Sequence, residues 1–165
     1  MRILVISDTH IPAVTNALPE IIQEEAKKSD CCLHAGDFIV ASVLQDLARL
    51  TKTYAVCGNM DSFDLKKDLP EKLILQFEDV KIGLIHGRGS PAALMDYIKK
   101  EFKAQSNELD MIVFGHTHYP LDKEMDGKIY FNPGSSTDKV FAPYPSYGIL
   151  DINGKNIKRR IVKIG

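Results

Sequence analysis

The chain has 165 residues, 44% hydrophobic and 26% charged, and its 21 Lys+Arg against 22 Asp+Glu leave a formal net charge of −1. That length and balance predict one soluble globular domain, residues 1–165, with enough apolar chain to bury a core without disulfide staples. They disfavour a strongly basic nucleic-acid binder and an acidic disordered tail. The longest early apolar run, Ile3 to Ile6, stops at Ser7-Asp8, short of a signal-peptide core or a membrane span. Three cysteines, two of them adjacent (Cys31, Cys32), make no disulfide framework and predict a reducing, cytoplasmic setting.

In chain order, Met1 to Ile6 reads as a buried first strand, ended by polar residues. Leu18, Ile21, Ile22 and Ala26 predict a helix over about 16–28, with Pro19 in its first turn. Cys31 to His34 is a second strand, and Val43, Leu44, Leu47 and Leu50 stripe a helix over 41–50. Thr53 to Cys57 is a third strand, so the chain opens β-α-β-α-β, which argues for parallel central strands. Two further strands, 72–77 and 80–85, are joined at Glu78-Asp79; then come a helix over 92–102 and a strand over 111–114. The remainder is strand-like: 121–125, 128–131, 147–152 and 157–164, with Asp126-Gly127 and Asn153-Gly154 as hairpin signals. The expected fold is α/β: two β-sheets packed face to face with helices outside, a four-layer αββα sandwich.

The residues just beyond each strand carry the chemistry. Ser7-Asp8-Thr9-His10 lies after the first strand, Ala35-Gly36-Asp37 after the second and Gly58-Asn59-Met60-Asp61 after the third. His86-Gly87-Arg88 lies after the 80–85 strand and Gly115-His116-Thr117-His118 after the 111–114 strand. From His10 to Asp37, Asn59, His86 and His116 the intervals are 27, 22, 27 and 30 residues, close to the length of a βαβ unit. Ligands of open α/β sheets bind beyond the carboxyl ends of strands, so these sites are expected to converge. Carboxylates gathered there repel one another, and burying each costs several kcal/mol, of the order of the effective penalty for an ion in protein, unless a cation compensates. Histidines with two Asp and an Asn form a mixed nitrogen/oxygen set suited to Mn, Fe, Ni, Co or Zn rather than Ca or Mg. Seven donors exceed one tetrahedral site and suit two cations about 3.5–4 Å apart.

These five segments, in this order, resemble the calcineurin-like metallophosphoesterase superfamily. Within it, Asn132-Pro133-Gly134-Ser135 and the short, uncapped chain resemble the small YfcE-type phosphodiesterases. The resemblance implies that Asp8, His10, Asp37 and His118 bind one metal, and that Asp37, Asn59, His86 and His116 bind the other, with Asp37 bridging. It implies two divalent transition metals, Mn2+ foremost, with Ni2+, Co2+, Fe2+ or Zn2+ as alternatives. Hydroxide held between the cations would attack a small phosphodiester, with Asp37, Asn59 and His86 central to catalysis.

The sequence also departs from the family pattern. Larger members carry His after Gly-Asn as general acid; Met60 stands there and donates no useful proton, which predicts better turnover of aryl than alkyl esters. Asp61, with no imidazole to orient, is expected as a hydrogen-bond partner of ligands or a turn residue. Arg88 stands where relatives commonly have a second His after His-Gly; an exposed loop arginine is the commoner case, and the alternative is a phosphate contact, which its planar fork suits. The family's Pro-Arg after Asn132 to Ser135 is missing, with Asp138-Lys139 in that region. His34 reads as a packed, hydrogen-bonded core group, Cys57 as a small buried thiol or, being next to Gly58-Asn59, a group touching the site, and Ser7 and Thr9 as turn-shaping residues. The stretch 62–69 reads as either pocket mouth or solvated loop, and 141–147 as either substrate contact or subunit contact in a homo-oligomer. Lys155, Lys158, Arg159, Arg160 and Lys163 form the one basic cluster, read as a solvated sheet edge. The alternatives are a non-catalytic scaffold of the same fold, as in retromer's metallophosphoesterase-like subunit, a phosphomonoesterase, or a nuclease. The filled ligand positions favour the enzyme, and the neutral charge weighs against nucleic acid.

Overall fold

A computed structural model describes residues 1–165. One sheet has the order β10-β9-β1-β2-β3 and the other β4-β5-β6-β8-β7. In the first, β1 (Arg2–Ile6), β2 (Cys31–His34) and β3 (Lys52–Ala55) run parallel, and β9 (Ser146–Asn153) and β10 (Asn156–Lys163) close one side antiparallel. In the second, β5 (Val80–Ile85), β6 (Met111–Val113) and β8 (Lys128–Asn132) are parallel, flanked antiparallel by β4 (Lys72–Phe77) and β7 (Leu121–Met125).

Three apolar clusters make the expected four layers. Ile3, Val5, Leu33, Ile82, Leu84, Val113 and Phe131 fill the space between the sheets. Leu4, Ile6 and Ile149 on the opposite face of the first sheet meet Ile22 and Ala26 of α1 (Glu20–Lys27) and Val43 and Leu47 of α2 (Ala41–Leu50). Ile112 and Tyr130 of the second sheet, with Phe114 just beyond β6, cover Leu94 and Ile98 of α4 (Leu94–Glu101). Central strands buried on both faces need apolar residues at every position, which is why β1 reads as an unbroken run. Cys31 and Cys32, one residue apart, point into different clusters for the same reason.

The structure departs from the sequence reading in small ways. Helix α1 starts at Glu20, with Pro19 outside it at ψ 140°; the residue before a proline is pushed out of the helical region, so no turn forms earlier. The stretch 62–69 contains a helix, α3 (Phe63–Asp68), capped by the Ser62 hydroxyl, which accepts from Leu65 N. It is too short for apolar periodicity to announce it, and Leu65 alone is buried. A single 3-10 turn succeeds α4 at Lys103–Gln105. Strand β10 is an edge strand, as its alternating charged residues require.

Candidate metal centre

All six parallel strands feed loops into one region, and the loops are stitched in pairs. Asp8 N donates to Gly36 O at 3.0 Å and His10 N to Asp37 O at 3.0 Å, joining the loops after β1 and β2. Gly115 N donates to His86 O at 3.1 Å, joining those after β5 and β6. His116 N donates to Asp8 Oδ2 at 3.0 Å and so ties one sheet to the other. The turns are tight: Asp8, His10, Asp37, His116 and His118 all have positive φ, between 45° and 75°. Side chains other than glycine seldom adopt this conformation, and it clusters at functional sites.

The glycines beside the ligands allow close approach. A Cβ on Gly58 would lie 2.1 Å from Asp37 Oδ1, and one on Gly115 would lie 2.8 Å from Asp8 Oδ2.

The seven residues expected from the sequence come together. Asp8, His10 and His118 form one group of donor atoms; Asp8, Asp37 and His86 form another. His10 Nε2 lies 3.1 Å from His118 Nε2, 3.8 Å from Asp8 Oδ1 and 3.6 Å from Asp37 Oδ2. His86 Nε2 lies 3.3 Å from Asp37 Oδ2 and 3.0 Å from Asn59 Oδ1. His116 presents Nδ1 to the same Asn59 oxygen at 3.0 Å. The far side of each ring sets its tautomer: His86 Nδ1–H donates to Ala35 O and His116 Nε2–H to Gly89 O, both at 2.7 Å. Their other nitrogens are therefore left as lone pairs facing the cluster.

Burial opposes charge here, and the histidines outweigh it. Burial acts to raise the Asp8 carboxyl, but contacts with His10 and His118 hold it well below the carboxylate range. The same balance, with His86 as partner, lowers Asp37. Burial draws His118 down, yet the Asp8 and Asp138 carboxylates bring its pKa up to about 9.

The donors fit divalent cations. Asp8 is fully buried and its Oδ1 has no hydrogen-bond partner, an arrangement that costs free energy unless a cation takes the lone pairs. Two imidazole nitrogens 3.1 Å apart and two buried carboxylates form the mixed nitrogen/oxygen set of a transition-metal site.

Neighbouring residues have different duties. His34 is packed, as expected: its ring stacks on Phe38 with centroids 3.6 Å apart, Nδ1 accepts from Gly36 N, and Nε2 faces Thr9 Oγ1 at 3.2 Å. Cys57 is not fully buried but lines a cleft of about 330 Å³ with Asn59, Lys66, Glu71, His86, Arg88 and Tyr97. Burial raises its thiol pKa, which leaves it a poor nucleophile. Arg88 pairs with Glu71 at 2.5 Å. Asp61 accepts from four backbone N–H groups, those of Asp37, Phe38, Ile39 and Gly58.

Two contributors receive no role from the sequence reading. Asn132 Nδ2 donates to Gly115 O and Thr117 Oγ1, clamping the loop that carries His116 and His118. Asp138 Oδ2 accepts from His118 Nδ1 at 2.5 Å. The Asn132 signal was present in its Asn-Pro-Gly-Ser segment, whereas Asp138 sits in no motif.

Two mixed sheets with a His/Asp/Asn cluster at the strand carboxyl ends make the metallophosphoesterase fold. A model described as "Calcineurin-like phosphoesterase superfamily domain" matches residues 1–155, and the chain belongs to that superfamily, a class that hydrolyses phosphoesters with divalent metals. Among its relatives is a probable metallophosphoesterase of Methanothermobacter thermautotrophicus, 33% identical over 100% of this chain and 94% of that protein. A phosphodiesterase of Methanocaldococcus jannaschii is 27% identical over 99% of this chain and 100% of its own. A similar solved structure is Vps29 from Entamoeba histolytica complexed with Zn2+, 26% identical over 99% of both chains with a TM-score of 0.77.

Proposed function

We propose that the protein is a phosphodiesterase that hydrolyses small phosphodiesters with two divalent cations held by Asp8, His10, Asp37, Asn59, His86, His116 and His118. One observation carries this reading: two buried carboxylates, one with an oxygen lacking any protein partner, lie among four histidines and an asparagine whose donor atoms face one another. Asp8, His10 and His118 would hold one cation; Asn59, His86 and His116 the other. Asp37 Oδ2, 3.6 Å from His10 Nε2 and 3.3 Å from His86 Nε2, supports its role as the bridge. Mn2+ is the proposed native metal, and Ni2+, Co2+, Fe2+ or Zn2+ suits the same donors. Bound cations would neutralise charge on the phosphoryl oxygens and lower the pKa of water between them.

The chain's own residues do the rest. Ala35 and Gly89 carbonyls and the Asp138 carboxylate fix the three rings, so little reorganisation accompanies the reaction. The cleft beside Asn59 and His86 is of a size for a small organic group. Arg88, 62% exposed and paired with the similarly exposed Glu71, can exchange that partner for a substrate anion at little cost. Met60 is exposed and serves through its backbone, its N–H donating to Asp37 Oδ1 at 2.7 Å. It offers no acid to the leaving group, which favours aryl over alkyl esters. No helix is long and apolar enough to cross a membrane.

The test is metal content of the purified protein, then hydrolysis of an aryl phosphodiester and an aryl phosphomonoester with Mn2+, Ni2+, Zn2+ or Mg2+. Metal-stimulated diester turnover, abolished in Asp37→Ala and His86→Ala, is expected. No stimulation by any metal would favour a scaffold role, and dominant monoester turnover would make the protein a phosphatase.

A further inference from the structure

The histidines of the site are not supported alike. His86 and His116 rest on backbone carbonyls, but His118 rests on a carboxylate, Asp138 Oδ2, at 2.5 Å. An ionised carboxylate only accepts, so the ring keeps a proton on Nδ1, and Nε2, which faces Asp8 Oδ1 (3.4 Å) and His10 Nε2 (3.1 Å), is the nitrogen left to bind a cation once its own proton is displaced. A charged acceptor also makes the far nitrogen a stronger donor to a metal than a neutral carbonyl does.

Asp138 is itself built in. It is 2% exposed, and its Oδ1 accepts from Val140 N (2.7 Å) and Phe141 N (3.0 Å), leaving Oδ2 for the ring. Its own N–H donates to Ser135 Oγ, which donates in turn to Asp8 O. One short segment thus sets Asp138 against both His118 and the loop of Asp8.

From this geometry we infer that Asp138 is a positioning residue that orients His118 and strengthens cation binding at the Asp8–His10–His118 half of the site. The inference rests on the metal-dependent reading of the function. It also gives a use to a residue in the region where the expected Pro-Arg is absent.

Asp138→Asn separates the two duties of the side chain. An Asn oxygen can still accept from Val140 and Phe141, holding the loop, while its amide sets a donor against His118 Nδ1. The measurement is calorimetric Mn2+ titration of the metal-free protein, wild type and D138N, with urea unfolding of both. One of two binding events is expected to weaken by about 10–100-fold, the other to stay, and the urea midpoint to hold. In the Zn2+-loaded protein, the His118 Nδ1–H should be seen by NMR as an exchange-protected proton in wild type and be lost in D138N. Equal Mn2+ affinity in the two proteins would overturn the inference. So would weakening of both events together with a fallen urea midpoint, which marks a structural role. A wild-type protein that takes up no Mn2+ would instead overturn the metal reading, and this inference with it, before any variant is compared.

Discussion

Asp61→Ala tests how the loops of the site are held. The Asp61 side chain is 4% exposed. Its Oδ1 accepts from Phe38 N at 2.5 Å and Ile39 N at 2.8 Å; its Oδ2 accepts from Gly58 N at 2.7 Å and Asp37 N at 3.2 Å. One carboxylate therefore fastens the loop after β2, with Asp37, to the loop after β3, with Asn59. Alanine strands four backbone donors, each costing about 1–3 kcal/mol if left buried and unpaired. The space vacated by the carboxylate admits water, which can satisfy some of them. With two donors rehydrated and two stranded, the loss is about 2–6 kcal/mol, a large share of the roughly 5–15 kcal/mol that holds a domain folded. Asp61→Asn is expected to lose at least half as much, because its amide places N–H groups against N–H groups. Urea unfolding of the metal-free proteins near neutral pH reads the difference from the midpoints at a common slope. Mn2+ affinity should fall in parallel, since Asp37 and Asn59 lose their shared anchor. A loss below about 1 kcal/mol for D61A, the scale of an ordinary hydrogen bond, would refute the reasoning.

Gly58→Ala should destabilise by about 1–3 kcal/mol and impair Mn2+ uptake, because the added Cβ would sit 2.1 Å from Asp37 Oδ1 and 2.4 Å from Asp37 N; unaltered uptake in a titration would contradict this. Mn2+ affinity should rise with pH from about 6.5 to about 9, by up to roughly tenfold per unit, because a cation must displace the proton that Asp8 and Asp138 hold on His118 against the pull of burial. In the metal-free protein the same proton stabilises the fold fully below the unfolded pKa of about 6.5, and that stabilisation is lost as pH rises through about 9; calorimetric unfolding across this window checks both signs. His34, whose pKa burial lowers to about 3, should stay neutral in the fold, so stability falls as pH drops from about 6.5 toward 3; an NMR titration of its ring near 6.5 would contradict the packing described.

Much of the site was legible because it uses residue types that strand ends seldom combine by chance. Asp8, His10, Asp37, Asn59, His86, His116 and His118 each come after a recognisable apolar run, and Asp37, Asn59, His86 and His116 stand beside a glycine. Strands β2, β4, β5 and β7 and helix α2 fall where their apolar patterns place them. Helix α3 did not, since six residues with one buried side chain carry no periodicity. Arg88 read as either an exposed loop arginine or a phosphate contact from its type and place, but type says nothing of Glu71, seventeen residues earlier in the chain and 2.5 Å away in space.

The sequence by itself determined the layers, the strand ends and the set of donor groups, because burial periodicity and ligand chemistry are properties of local residue order. Only the tertiary structure decided which donors face one another, which carboxylate oxygen lacks a partner and which acceptor fixes each imidazole. Asp138 meets His118 across 20 residues, and His116 N meets Asp8 across 108. Such contacts arise from the packing of two sheets, and no local pattern encodes them.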